Sequence, residues 1–192
     1  MAQGRTDGLR SDAQQNRDRL LAVAVEALTE STTASLNSIA KQAGVGIGTL
    51  YRHFPTREAL LLEVYRNEVQ SLADLAPALL AERPPLDALR AWMDRLAHYG
   101  TAKAGLGDAL SAIVSHDGLA AESYGPIIGA LTLLLDANTK AGTIRPGVIP
   151  DDVLLILGFL WRIDPKSDWQ AQSARLLDIL IDGLRSGAPE PA

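Results

Sequence analysis

Cysteine is absent from the 192 residues, and aromatic side chains are scarce, with three Trp, four Tyr and two Phe. The first absence excludes a disulfide framework, a zinc site with thiolate ligands and a Cys nucleophile, and it fits a reducing, cytoplasmic setting. The three histidines, His53, His98 and His116, lack the His-x-x-x-His spacing that would put two imidazoles on one helical face. No apolar run is long enough to cross a bilayer: the longest, Val153 to Trp161, has nine residues, against about 20 for a spanning helix. The first fifteen residues are polar and carry no secretory core. Hairpin signals are missing as well. There is no Asn-Gly pair, and Asp117-Gly118 and Asp182-Gly183 sit against helical patterns rather than between alternating runs. These absences leave a soluble, all-α chain with no enzymatic constellation and no implied cofactor.

What is present is helical periodicity, with 47% apolar residues to build a core. A flexible arm is expected over 1–10. A first helix is expected to start near Ser11, burying Leu20, Leu21, Ala24, Ala27 and Leu28, and two short helices follow, Leu36–Ala43 and Ile47–Phe54. Pro55 ends the second of these, and Thr56 is placed to cap a fourth helix closing a module over 11–71. In a second module, 72–187, the pattern predicts helices at 86–101, 108–115, 119–141, 151–162 and 168–186, giving nine in all, and a disordered tail over 188–192. Breaks are expected at Ala76-Pro77, Arg83 to Pro85 and Gly105 to Gly107. Asp151 and Asp152 follow Pro150, where carboxylates favour a helix N-terminus more simply than a metal.

Charge divides unevenly. The net charge of −5 argues against a polyanion partner, yet residues 1–57 carry a balance of +2 and the remainder −7. A mildly basic head on an acidic body suits a nucleic-acid-binding head on a soluble scaffold.

Residues 36–55 hold the informative pattern. Two helices too short to be stable alone are joined across Gly44. Ile39, Ala40, Ala43, Val45, Leu50 and Phe54 form one apolar seam, leaving Gly48, Thr49, Tyr51, Arg52 and His53 facing outward. That is a helix-turn-helix, whose second helix can enter a major groove with its N-terminal residues at base edges. The run Gly44-Val45-x-x-Gly48-Thr49-Leu50-Tyr51-Arg52-His53-Phe54-Pro55-x-Arg57-Glu58-Ala59-Leu60 resembles the signature of the TetR/AcrR family of bacterial regulators. The likeness extends to Leu36, Ile39, Ala40 and Ala43 and to the first helix, covering about residues 11–65. Gly46 departs from the pattern, standing where the family often has serine, so the second helix must be capped by backbone alone.

The resemblance implies a homodimeric repressor of double-stranded, (pseudo)palindromic operator DNA, with a C-terminal domain for an effector and for dimerisation. It places Ile47, Gly48 and Thr49 at bases, where a Thr methyl can meet a thymine methyl. Tyr51 and His53 are placed along the backbone, and Arg57 on a phosphate at a helix N-terminus; Arg52, on the same outward face, is a further DNA-binding candidate. Ser38 can add a phosphate bond, and Arg5 and Arg10 lie in the arm. Trp92 to Ser115 is similar to a C-terminal type common in actinobacterial members.

Within the second module, Trp92, Leu96, Tyr99, Ile113, His116, Tyr124, Ile127, Leu131 and Trp161 are candidates to line an apolar or amphipathic effector pocket. Each of them singly also fits core packing. Leu154, Leu157 and Leu160, with Leu176, Leu177, Leu180, Ile181 and Leu184, are candidates for a four-helix dimer interface. The alternative is a helical small-molecule-binding or sequestering protein that no longer binds DNA. Tyr51, His53 and Arg57 argue against it.

Overall fold

A computed structural model of the protein describes residues 3–30, 34–111, 116–164 and 166–188. Among them are eight α-helices, one short 3-10 helix and no strand. The helices are α1 (Gln3–Glu30), α2 (Leu36–Gln42), α3 (Ile47–His53), α4 (Arg57–Glu82), α5 (Pro85–Ser111), α6 (His116–Lys140), α7 (Pro150–Leu157) and α8 (Trp169–Arg185), with the 3-10 segment at Gly158–Arg162. The chain divides into two compact units, residues 1–67 with 105–113, and residues 68–104 with 114–192.

In the first unit the periodic face of α1 is buried as its spacing requires: Leu20, Leu21, Ala24, Ala27 and Leu28 are all in the core. Ile39, Leu50, Phe54, Leu60, Leu61 and Val64 of the same unit are buried as well. Helix α1 begins eight residues before Ser11, so residues 3–10 carry helical backbone where a flexible arm is expected. Gly4 and Gly8 are the only strong helix opponents in that stretch, and each costs only about 1 kcal/mol against alanine. The side chains of Arg5 and Arg10, and residues 189–192, lie outside the described residues.

The second unit is held by apolar packing with a few polar ties. Leu89, Trp92, Met93, Leu96 and Tyr99 line the buried face of α5. The Trp92 indole N–H donates to the Leu72 carbonyl of α4 at 2.8 Å, so the largest core side chain has its polar edge satisfied. Asn138, fully buried near the end of α6, donates to the carbonyls of Pro85 and Leu134 and accepts from the Thr143 hydroxyl. Arg90 bridges Asp94 on its own helix and Asp178 on α8. Partial burial works to lower its pKa, but the bond to Asp178 and the charge of Asp94 outweigh this and leave it raised.

Two expected breaks are bridged instead. Helix α4 runs through Pro77 and α5 through Gly105 and Gly107. Pro77 deprives one carbonyl of its helical donor, but the residue is exposed and water can serve there. The expected helix over 151–162 does end early: α7 stops at Leu157, and Gly158 begins the 3-10 turn.

Candidate nucleic-acid interface

The helix-turn-helix is assembled by local capping. The Ser35 hydroxyl accepts the Ser38 amide at 3.1 Å and opens α2. Gly44 takes φ +69°, the left-handed conformation that glycine adopts without a Cβ penalty, and Val45 N–H returns to the Ala40 carbonyl at 3.0 Å. Gly46 caps α3 without any side-chain bond, its carbonyl accepting the Thr49 and Leu50 amides at 2.9 and 3.2 Å.

Ile39, Ala40, Ala43, Leu50 and Phe54 are buried, so the seam forms as its residues dictate. At 100° per residue, Gly48 and Arg52 stand opposite Leu50, with Thr49 and Tyr51 flanking. Ile47, Gly48, Tyr51 and Arg52 are exposed, and Thr49 and His53 half-exposed. Tyr51 is 48% exposed, a large aromatic left in solvent. A Cβ on Gly48 would meet nothing within 4 Å. Ser38 is exposed on α2, as is Lys41 in its last turn.

Arg57 starts α4, and its guanidinium donates to the Ala34 carbonyl, tying that helix to the residue before the α2 cap. Thr56 caps α4 through the Ala59 amide at 3.1 Å. The Glu58 carboxyl is held below its ordinary value by its own backbone N–H, then by the Thr56 hydroxyl and the Arg57 charge. A depressed folded pKa gives stability that is present above the unfolded value, about 4.5, and lost as pH falls through the folded one. Glu58→Gln is therefore expected to lower Tm slightly at neutral pH, with the difference shrinking as the pH falls below the unfolded value. Thermal melts of both proteins across that range check this.

Sequence reasoning passed over Arg17. It pairs with Glu63 of α4, 46 residues away, and its guanidinium carbon lies 5.7 Å from the centroid of the Phe54 ring. No local pattern signals so distant a partner.

The second-module candidates fare differently. Trp92, Leu96, Tyr99, Ile127 and Leu131 are buried side chains of the protomer core. Trp92 has already committed its N–H to Leu72, and Tyr124 is exposed with its hydroxyl bonded to Asp151, which holds the phenol pKa raised. Ile113 and the side chains of His116 and Trp161 lie outside the described residues. An open groove of about 440 Å³ lies between α7 and α8, lined by Ile149, Ile156, Phe159, Leu176, Ile179 and Leu180 among others; the nine pocket candidates are not part of its lining.

The interface candidates on α7 and α8 are mostly covered by the protomer itself. Leu157, Leu160, Leu177, Leu180, Ile181 and Leu184 are buried within the protomer, and Leu154 and Leu176 are half-buried. The exposed apolar side chains are Ile149, Leu155, Ile156 and Ile179, with Leu155 at 80% and Ile179 at 69%. The leucine stripe of α8 faces its own core because an amphipathic helix first covers its own domain.

A helix-turn-helix with a bare outer face, followed by a larger helical unit, defines a transcriptional regulator. Residues 20–64 match the family model for bacterial regulatory proteins of the tetR family. Residues 84–186 match the model for the transcriptional regulator SbtR-like C-terminal domain. A solved TetR transcriptional regulator from Streptomyces coelicolor shares 49% identity and a TM-score of 0.78, over 88% of this chain and 98% of that one. A TetR transcription regulatory protein from Mycobacterium vanbaalenii shares 34% identity and a TM-score of 0.76, over 92% and 99%. HTH-type transcriptional regulators of Staphylococcus aureus are 38% identical over 63 residues, 32% of this chain and 34% of theirs, so the chain spans about a third of the length of those relatives. The chain belongs to the TetR family of transcriptional regulators. No described helix is long and apolar enough to cross a membrane, and no group of three or more metal-ligating side chains occurs among the described residues.

Proposed function

We propose that the chain is a cytoplasmic repressor that binds a (pseudo)palindromic operator as a homodimer and leaves it when an apolar or amphipathic small molecule enters the second module. The observation that carries this reading is the outer face of α3. Its inner residue Leu50 is fully buried, while Ile47, Gly48, Tyr51 and Arg52 are exposed around it. Thr49 and Gly48 are then the base-facing pair, with Tyr51, Arg52, His53 and Ser38 on the backbone. Arg57 combines a phosphate contact with its tie to Ala34.

Pairing is supported by the exposed apolar side chains that flank and line the α7–α8 groove. Solvent disfavours so many of them together, and a second copy presenting the same surface covers them by two-fold symmetry. Two reading helices then meet half-sites about 34–36 Å apart or somewhat more.

For the effector, Leu96, Tyr99, Ile127 and Leu131 supply buried apolar surface. They are packed, so an entering ligand must displace side chains or occupy adjoining space. It relieves repression only through a higher affinity for the conformation that fits the operator poorly.

A gel shift with DNA from upstream of its own gene tests the proposal. A specific shift at physiological salt is expected, and its absence favours a sequestering protein. Thermal-shift screening at fixed protein concentration finds effectors; one that binds and leaves operator affinity untouched contradicts the release mechanism for that compound.

A further inference from the structure

We propose that Arg17 of α1 is a positioning residue for the recognition helix, a bracket that sets the attitude of its C-terminal end without touching DNA. The inference rests on the reading of α3 as the DNA reader. Arg17 and Glu63 are paired with only about a third of each side chain exposed, at 33% and 29%. The other Glu63 oxygen accepts from Arg66 at 3.1 Å. The Arg17 charge is thus already matched by a carboxylate, which disfavours a phosphate role for it.

What the guanidinium covers is Phe54, the C-cap of α3. That ring is buried, its amide donates to the Leu50 carbonyl at 2.8 Å, and the His53 ring lies beside it with centroids 6.2 Å apart. Helix α3 has seven residues and no side-chain cap at its start, so little within the helix itself fixes its far end. A planar cation over the Phe54 face, anchored on α4 through Glu63, supplies that restraint. His53, Arg52 and Tyr51 are the candidate backbone contacts closest to it in sequence, so a shift of Phe54 reaches them first.

The test compares wild type, Arg17→Met and Arg17→Lys in two measurements. In the first, operator affinity is titrated over a range of salt. Arg17→Met is expected to weaken binding about 5- to 20-fold, the worth of one cation–π contact with one partly exposed ion pair. The slope of log affinity against log salt should stay unchanged, since no phosphate contact is lost. Arg17→Lys, which keeps the charge on Glu63 and over the ring, should recover affinity to within about threefold of wild type.

In the second measurement, amide NMR without DNA should show Arg17→Met shifting Tyr51 to Phe54 while Ser38 to Gln42 stay in place. A salt slope lowered by about one unit, an affinity unchanged by Arg17→Met, or α3 amides that do not move would each overturn the bracket. The amide experiment needs no operator. A chain that binds no DNA therefore fails the repressor reading, while the bracket is still decided on its own.

Discussion

Aspartate in place of Ile179 is expected to split the proposed dimer into monomers and to raise its operator Kd by at least about 100-fold. Ile179 is 69% exposed on α8, so the protomer itself should lose no more than about 0.5 kcal/mol. In a symmetric pair the substitution acts twice, placing two carboxylates in an apolar seam. Each buried, unpaired charge costs several kcal/mol, and every 1.4 kcal/mol is about tenfold in the equilibrium. A monomer offers one reading helix and forfeits the second half-site. Light scattering after gel filtration reads the mass, and fluorescence anisotropy the affinity. A variant that stays dimeric would show that the α7–α8 groove is not the interface.

Trp92→Ala should destabilise the second module by about 3–5 kcal/mol, the range for large aromatic-to-alanine cavities. The indole is fully buried and its N–H is bonded to the Leu72 carbonyl, so both packing and a satisfied polar edge are lost. For a chain of this size that corresponds to about 6–20 °C in Tm, measured at one protein concentration because dimerisation also shifts the midpoint. Trp92→Phe keeps most of the packing and loses the donor, and should cost about 1–2 kcal/mol. Equal losses for the two variants would mean that the hydrogen bond, rather than the ring volume, ties α5 to α4.

These two positions mark where sequence reading succeeded and where it stopped. The buried face of α5, Trp92 included, follows from helical spacing alone. So does the head, because its information is local: the Ser35 and Thr56 caps, Gly44 at the turn and the small Ala40 and Ala43 are each read within a few residues. Ile179 is not singled out by periodicity, which marks the strongest apolar stripe of α8 without saying what covers it. The protomer claims Leu177, Leu180, Ile181 and Leu184, and the face left outward is Ile179 with Leu155 and Ile156.

The pocket candidates are hard to read from sequence for a related reason. An apolar residue at helical spacing reads the same whether it lines a cavity or fills one, and Leu96 and Leu131 are buried in the protomer. Helix ends were misjudged where weak breakers met long helices. Pro77, Gly105 and Gly107 do not stop α4 and α5, since a penalty of about 1–3 kcal/mol is outweighed by the packing of the rest of the helix. Arg17 was illegible because its partners Phe54 and Glu63 are distant in the chain.

The most direct test of the outer face of α3 is selection from random duplexes by wild type and by Thr49→Ala. The wild type should enrich one two-fold symmetric site, and Thr49→Ala should change the preferred base at one symmetry-related pair of positions, keeping the salt slope. Enrichment of no site at all, or an identical site for both proteins, would contradict the assignment of this face as the reader.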